Sequence, residues 1–362
     1  MTKGWLRRNL YFLNAVLLLA FGSNARDLPI KHTPNSAYTI DYSDLDIILK
    51  GSVLDIGPST HKPSNGRIVK LTGTRLQMGN TKITRQEGNR VMIHAFREGE
   101  LNYLRKIREE LLSIPDNLPL EAFSKSEQLA YWFNLYTVIV LTEISEQYPV
   151  THLKPLFDSE RPNAFVNRRL FNFDNKMISL SDIENHILAN WSDPLVIYGF
   201  YMGAVGTPNI RTSAYKGTLV FNQLRENAVD FVNSMRGTQI WKPSELRVST
   251  YYRRMAKFFP NFNASVLLHI QKYAKPSFQR RLITVRDISA EIEDWSIADL
   301  YNGNLNDPGG RYPRITKDAN DVSYKITLPQ HAVQLLRERE RKLGRQKPNV
   351  DIEEVPTEEK PD

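Results

Sequence analysis

Four kinds of position in this sequence could do chemistry. Glu184 lies in Ile178-Ser179-Leu180-Ser181-Asp182-Ile183-Glu184, where a desolvated carboxyl would serve as a general acid or base. It is also the third residue after Ser181, the spacing at which a glutamate reaches back to cap a helix. The two readings separate on Glu184→Gln, which a cap tolerates and a titrating catalyst does not. Asn134 sits in Ala130-Tyr131-Trp132-Phe133-Asn134-Leu135-Tyr136 among large apolar side chains. A buried amide there costs about 1–3 kcal/mol unless it is bonded. It either clamps a loop to the helix or, with Trp132 or Tyr136 beside it, orients a ligand carbonyl or oxyanion. Residues 132 and 136 share a helix face and 134 lies roughly opposite, so the three cannot line one simple cleft.

Arg211 ends Thr207-Pro208-Asn209-Ile210-Arg211 after a small-residue segment. Its fork suits a carboxylate or phosphate, and a tight turn paired with a nearby acid is the plainer alternative. Tyr198, with Phe200 and Tyr201, could form a platform for sugar or peptide, although core packing is the better account of such a cluster. The candidate ligand-binding residues are therefore Asn134, Tyr136, Tyr198 and Arg211, with Glu184 as the candidate catalytic group.

Composition removes other chemistries. The chain has 362 residues and no cysteine, so disulfides, thiolate metal sites and cysteine nucleophiles are excluded. The seven histidines, His32, His61, His94, His152, His186, His269 and His331, never fall at helical metal-ligand spacing, and no metal is expected. There is neither a Gly-x-Ser-x-Gly elbow nor a phosphate-cradling glycine loop; no cofactor is expected. With 48 basic against 40 acidic residues, the charge is too diffuse to argue for nucleic acid.

The elements that must position these residues begin with the helix from Ser124. Ser124 and Glu127 give a capping-box signature, and apolar residues then occupy nearly every face through Leu141, the pattern of a central buried helix. Before it, Leu101, Leu104, Ile107, Leu111 and Leu112 mark an amphipathic helix over Glu98 to Ile114 that Pro115 and Pro119 stop. Ile83 to Ile93 reads as a small ribbon, Arg168 to Ile178 as a strand or ribbon, and Leu195 to Val205 as a buried strand or helix that periodicity cannot resolve. Leu219 to Met235, Ser249 to Ala256 and Ala264 to Tyr273 are predicted helices; Arg281 to Val285 and Asp318 to Leu328 are predicted strands. The fold class expected is α+β, a mostly helical single domain around a buried central helix with a small β-sheet.

Lys3, Arg7 and Arg8, the apolar Leu10 to Phe21, and the small residues Ser23 and Ala25 read as a signal peptide cut after Ala25. Its apolar run is shorter than the roughly 20 residues that span a bilayer. Removal leaves 45 basic against 40 acidic residues. The organisation expected is signal peptide at 1–25, a loop-rich extension at 26–80, a core domain at 81–330 and a charged, disordered tail at 337–362. The protein is expected to be periplasmic or secreted, without a membrane span after cleavage.

The ordered set formed by the 130–136 run, the 178–184 element, and Asp193-Pro194 followed by Gly203-Ala204 and Thr207-Pro208 resembles the domain of unknown function 547 family, over about Gly88 to Ser296. The resemblance implies no established reaction and implies export. Many relatives carry Asn where this chain has Thr137, His where it has Tyr198, and cysteines within 202–208. The absence of thiol and imidazole at those places points to a periplasmic binding or accessory protein with an unknown small molecule, peptide or glycan as partner. The rival expectation is an envelope hydrolase or transferase with Glu184 as acid or base.

Overall fold

The computed structural model describes residues 28–64, 82–303, 316–317, 324–325 and 330–344. The expected signal peptide lies outside them.

The first segment forms α1 (Ser43–Ser52) and β1 (Val53–Leu54), which pairs antiparallel with β2 (Arg90–Val91). The ribbon expected within 83–93 is instead half of this longer-range pair. The 26–80 segment was expected as an extension, but Leu28, Tyr42, Leu45, Leu49 and Val53 belong to the same buried cluster as the rest of the chain. Short apolar runs separated by turn residues look like loops in sequence; here those of the described residues 28–53 insert into the core.

Next come α2 (Glu98–Asn117), which carries Pro115 in its last turn, and α3 (Lys125–Glu146). The axis of the molecule is α3, where every residue from Glu127 to Thr142 is buried. Burial of each large apolar side chain there contributes about 1.5–3 kcal/mol relative to exposure. Ser124 Oγ accepts the Glu127 N–H at 3.2 Å. The Glu127 carboxylate does not complete a capping box but accepts the Ile40 N–H at 3.0 Å, tying the first segment to the central helix.

The short α4 (Lys154–Phe157) leads to a hairpin of β3 (Phe171–Phe173) and β4 (Lys176–Ile178). Its two-residue turn, Asp174-Asn175, has φ of 48° and 58°, which suits these residue types in a tight hairpin. α5 (Leu180–Asn190) starts directly after β4 and packs on α3. Leu195 to Val205 is neither strand nor α-helix: Pro194–Gly199 is a 3-10 turn, followed by irregular chain with an isolated bridge at Ala204 and a turn at Val205. Phe133 lies so close to this turn that a Cβ on Gly199 would run into its ring.

α6 (Val220–Val232) packs on α3 and on that turn. β5 (Thr238–Lys242), β6 (Glu245–Ser249), α7 (Thr250–Arg254), α8 (Phe262–Tyr273), α9 (Pro276–Leu282) and β7 (Asp287–Ile292) follow. β5 and β6 are antiparallel, and β6 and β7 parallel, in a three-stranded sheet that the sequence reading missed. Arg281 and Leu282 close α9 rather than opening a strand. Two short strands, β8 (Thr316–Lys317) and β9 (Tyr324–Lys325), pair antiparallel. The tail expected to be disordered from Arg337 is helical up to Leu343, as part of α10 (Gln330–Leu343), because Ala332 and Leu335 bury against Ile56, Leu300 and Tyr301. The fold is thus α+β and mostly helical, with separate two- and three-stranded ladders in place of one sheet.

Candidate functional site

Glu184 is not a capping residue. The cap of α5 is Ser179, whose Oγ accepts the Asp182 N–H at 3.1 Å while Asp182 reaches back to the Ser179 N–H at 2.9 Å. Ser181 and Glu184 have the same spacing two residues later, but β4 ends at Ile178 and so fixes the helix start at the earlier pair. Glu184 is 7% exposed and its Oε2 accepts from Arg254 at 2.8 Å. Arg254 also donates to the Phe157 carbonyl at 3.0 Å. Burial works against the Arg254 charge, yet Glu184 holds the guanidinium above its ordinary pKa. A carboxylate locked to a permanent cation in a buried position is a structural ion pair.

Asn134 is a clamp. It is 1% exposed, its amide donates to the Tyr215 carbonyl at 2.9 Å, and its oxygen accepts the Tyr215 N–H at 2.8 Å. Both backbone groups of one loop residue are thereby paired inside the core. Tyr136 is fully buried on another side of α3; burial first, then the Glu184 carboxylate, push its hydroxyl well above the usual phenol range. Tyr198 is also sealed, its hydroxyl 3.1 Å from that of Tyr252 and 2.9 Å from His269 Nε2. Burial, followed by Lys272, lowers the His269 pKa to about 4. Asn134, Tyr136 and Tyr198 therefore open to no ligand.

Arg211 is the sequence-selected residue that meets open space. It lines a cleft of about 780 Å³ beside α6, together with Asn89, Asn209, Asp230 and Lys275. Its guanidinium donates to Glu226 at 2.8 Å and to the Gln223 carbonyl at 3.0 Å, which fastens the 207–212 turn to α6. The cleft floor is an amide network. Asn209 Nδ2 donates to Asp230 at 2.8 Å, its oxygen accepts the Asn89 N–H at 3.0 Å, and Asn89 Nδ2 donates to the Ile210 carbonyl at 2.9 Å. Asn227 Nδ2 donates to the Tyr198 carbonyl at 3.1 Å, and Arg236 pairs with Asp230 from below.

The rim is contributed by Asp55, Thr212, Asn222, Arg225 and Lys275, all exposed. Sequence reasoning missed these groups for a physical reason. Asn222, Arg225 and Glu226 form the polar flank of an amphipathic helix, which in sequence is indistinguishable from an ordinary solvated face. Asn89, Asn209 and Lys275 come from three distant segments with no spacing to read. Among the described residues no three acidic or histidine side chains converge so as to hold a metal ion.

Taken together, these features define a helical α+β domain with a sealed polar core and a broad polar cleft beside α6. Residues 120–232, under a third of the chain, match the family described as "Protein of unknown function, DUF547". The match holds α3, the Glu184 element, Tyr198, Arg211 and α6, and is narrower than the 88–296 span over which the sequence resembles the family. No curated protein and no solved structure matches the chain.

Proposed function

We propose that this chain is an exported binding or accessory protein, periplasmic or secreted, whose cleft beside α6 takes a small peptide-like ligand bearing both charges. The observation that carries the reading is the cleft lining. Arg211, Arg225 and Lys275 line it together with Asp55, Glu226 and Asp230, Arg211 being paired with Glu226, and no aromatic ring is among the lining residues. Alternating charge with amide donors and acceptors matches carboxylate, ammonium and peptide groups, whereas a glycan favours an aromatic platform. The floor amides are already bonded to one another, so the shape is preorganised and a ligand meets chiefly the rim. The three-zoned amino terminus supports export.

The test is calorimetric titration of the full chain with a panel of short zwitterionic peptides and oligosaccharides, repeated on Arg225→Ala and Lys275→Ala. Binding of peptides that weakens in both variants supports the reading. Binding of oligosaccharides alone, or peptide binding that neither variant changes, removes it. Mass spectrometry of the amino terminus of exported protein checks cleavage after Ala25.

A further inference from the structure

A second cavity, of about 350 Å³, lies between the loop at Thr60 to Ser64, residues Gln86 and Glu87, and α10. Its charges do not balance. Lys62 comes from the loop and Arg337 from α10, and neither has an ion-pair partner among the described residues. Arg341 is paired with Glu338. At the back, Lys342 is 5% exposed and its ammonium has no hydrogen-bond or ion-pair partner among the described residues.

The buried carboxylate on this wall is already engaged. Glu87 Oε1 accepts from Ser59 Oγ at 2.6 Å and from the Met235 N–H at 3.0 Å, and Oε2 accepts the Arg236 N–H at 2.9 Å. Those bonds pin the loop before β2 to the end of α6, leaving Glu87 in the field of Lys342 without pairing to it. The Lys342 side chain is mostly enclosed, and burial lowers its pKa, an effect that the Glu87, Glu338 and Asp230 charges oppose. The arrangement is satisfied by a ligand that brings several anionic oxygens.

We propose that this cavity is an anion site for a small phosphate- or pyrophosphate-bearing molecule, anchored by Lys342 and closed from two sides by Lys62 and Arg337. Lysine ammoniums act as point charges toward phosphate and arginine offers its fork; the volume holds more than one phosphoryl group. The site is separate from the cleft beside α6 and stands without the reading given for it. Occupancy would tie α10, otherwise seated on the small cluster of Ile56, Leu300, Tyr301, Ala332 and Leu335, to the 60–64 loop.

The full chain is titrated calorimetrically with inorganic phosphate, pyrophosphate and sulfate at matched ionic strength. Saturable binding of pyrophosphate, tighter than that of phosphate, is expected, with sulfate separating phosphoryl preference from generic dianion binding. Lys342→Met is expected to weaken it about tenfold or more, the loss of one charge-assisted contact. Lys62→Ala alters an exposed side chain, so it keeps the test sharp if Lys342→Met does not fold, and is expected to weaken binding severalfold. No saturable heat with phosphate or pyrophosphate, sulfate binding as tight as pyrophosphate, or pyrophosphate affinity unchanged in Lys62→Ala overturns the proposal.

Discussion

Glu184→Gln separates a structural carboxylate from a reacting one by its effect on stability. Removing the Glu184 charge leaves the Arg254 guanidinium facing a neutral amide, with the Phe157 carbonyl as its remaining acceptor at 3.0 Å. Breaking one side of a fully buried pair costs about 3–5 kcal/mol. The Arg254 side chain is 18% and the Glu184 side chain 9% exposed, so solvent relieves part of that, and about 2–3 kcal/mol is expected. Arg254→Met, which strands the carboxylate, is expected to cost a similar amount. The double variant, with neither charge left, should lose less than the two singles added together, with a coupling of about 2 kcal/mol. Urea unfolding followed by far-UV circular dichroism measures all four corners, read as free energies only where m stays constant. A Glu184→Gln loss under about 0.5 kcal/mol, or strictly additive singles, refutes the ion-pair reasoning and returns Glu184 to the list of candidate acids and bases.

Three further outcomes follow from the sealed core. His269 has its folded pKa lowered to about 4, so the unfolded chain takes up its proton first as pH falls. Its contribution is intact above about pH 6.5 and is lost progressively between there and pH 4, a loss of about 3 kcal/mol at most; urea midpoints at several pH values should show a slope that His269→Gln flattens. Asn134→Ala strands the Tyr215 N–H and carbonyl inside the core and is expected to cost about 3 kcal/mol, measured by the same unfolding assay; a loss below about 1 kcal/mol contradicts the clamp. Gly199→Ala drives a methyl into the Phe133 ring and is expected to cost about 1–3 kcal/mol, seen as a lowered melting temperature.

Two local signals read correctly. The all-round apolar pattern of 129–141 placed α3 in the centre, and its lone amide proved to be tied down by a loop. The Arg168 to Ile178 segment became a hairpin because Asp174 and Asn175 accept positive φ. Where two nearby patterns compete, local reading failed. Ser179 with Asp182 and Ser181 with Glu184 both satisfy the capping spacing, and the end of β4 chooses between them. The sheet of β5, β6 and β7 was missed because β7 joins in parallel from beyond three helices, α7, α8 and α9, a pairing that leaves no trace in local periodicity.

The same distinction explains why the candidate site moved. Glu184, Asn134, Tyr136 and Tyr198 stood out in sequence because polar groups among apolar neighbours are costly unless bonded. That cost is met here from inside the fold: Arg254 lies 70 positions from Glu184 and Tyr215 lies 81 positions from Asn134. The residues most conspicuous by context are therefore the ones the core consumes. Arg211 differs because its turn lies against the exposed flank of α6, so its partners Glu226 and Gln223 hold it at a rim rather than beneath a seal. Groups at such a rim cost little to leave exposed and so carry no signature in the sequence. In this protein the polar cleft is assembled from side chains that look ordinary along the chain and come together only when Asn89, Asn209 and α6 are brought to one place.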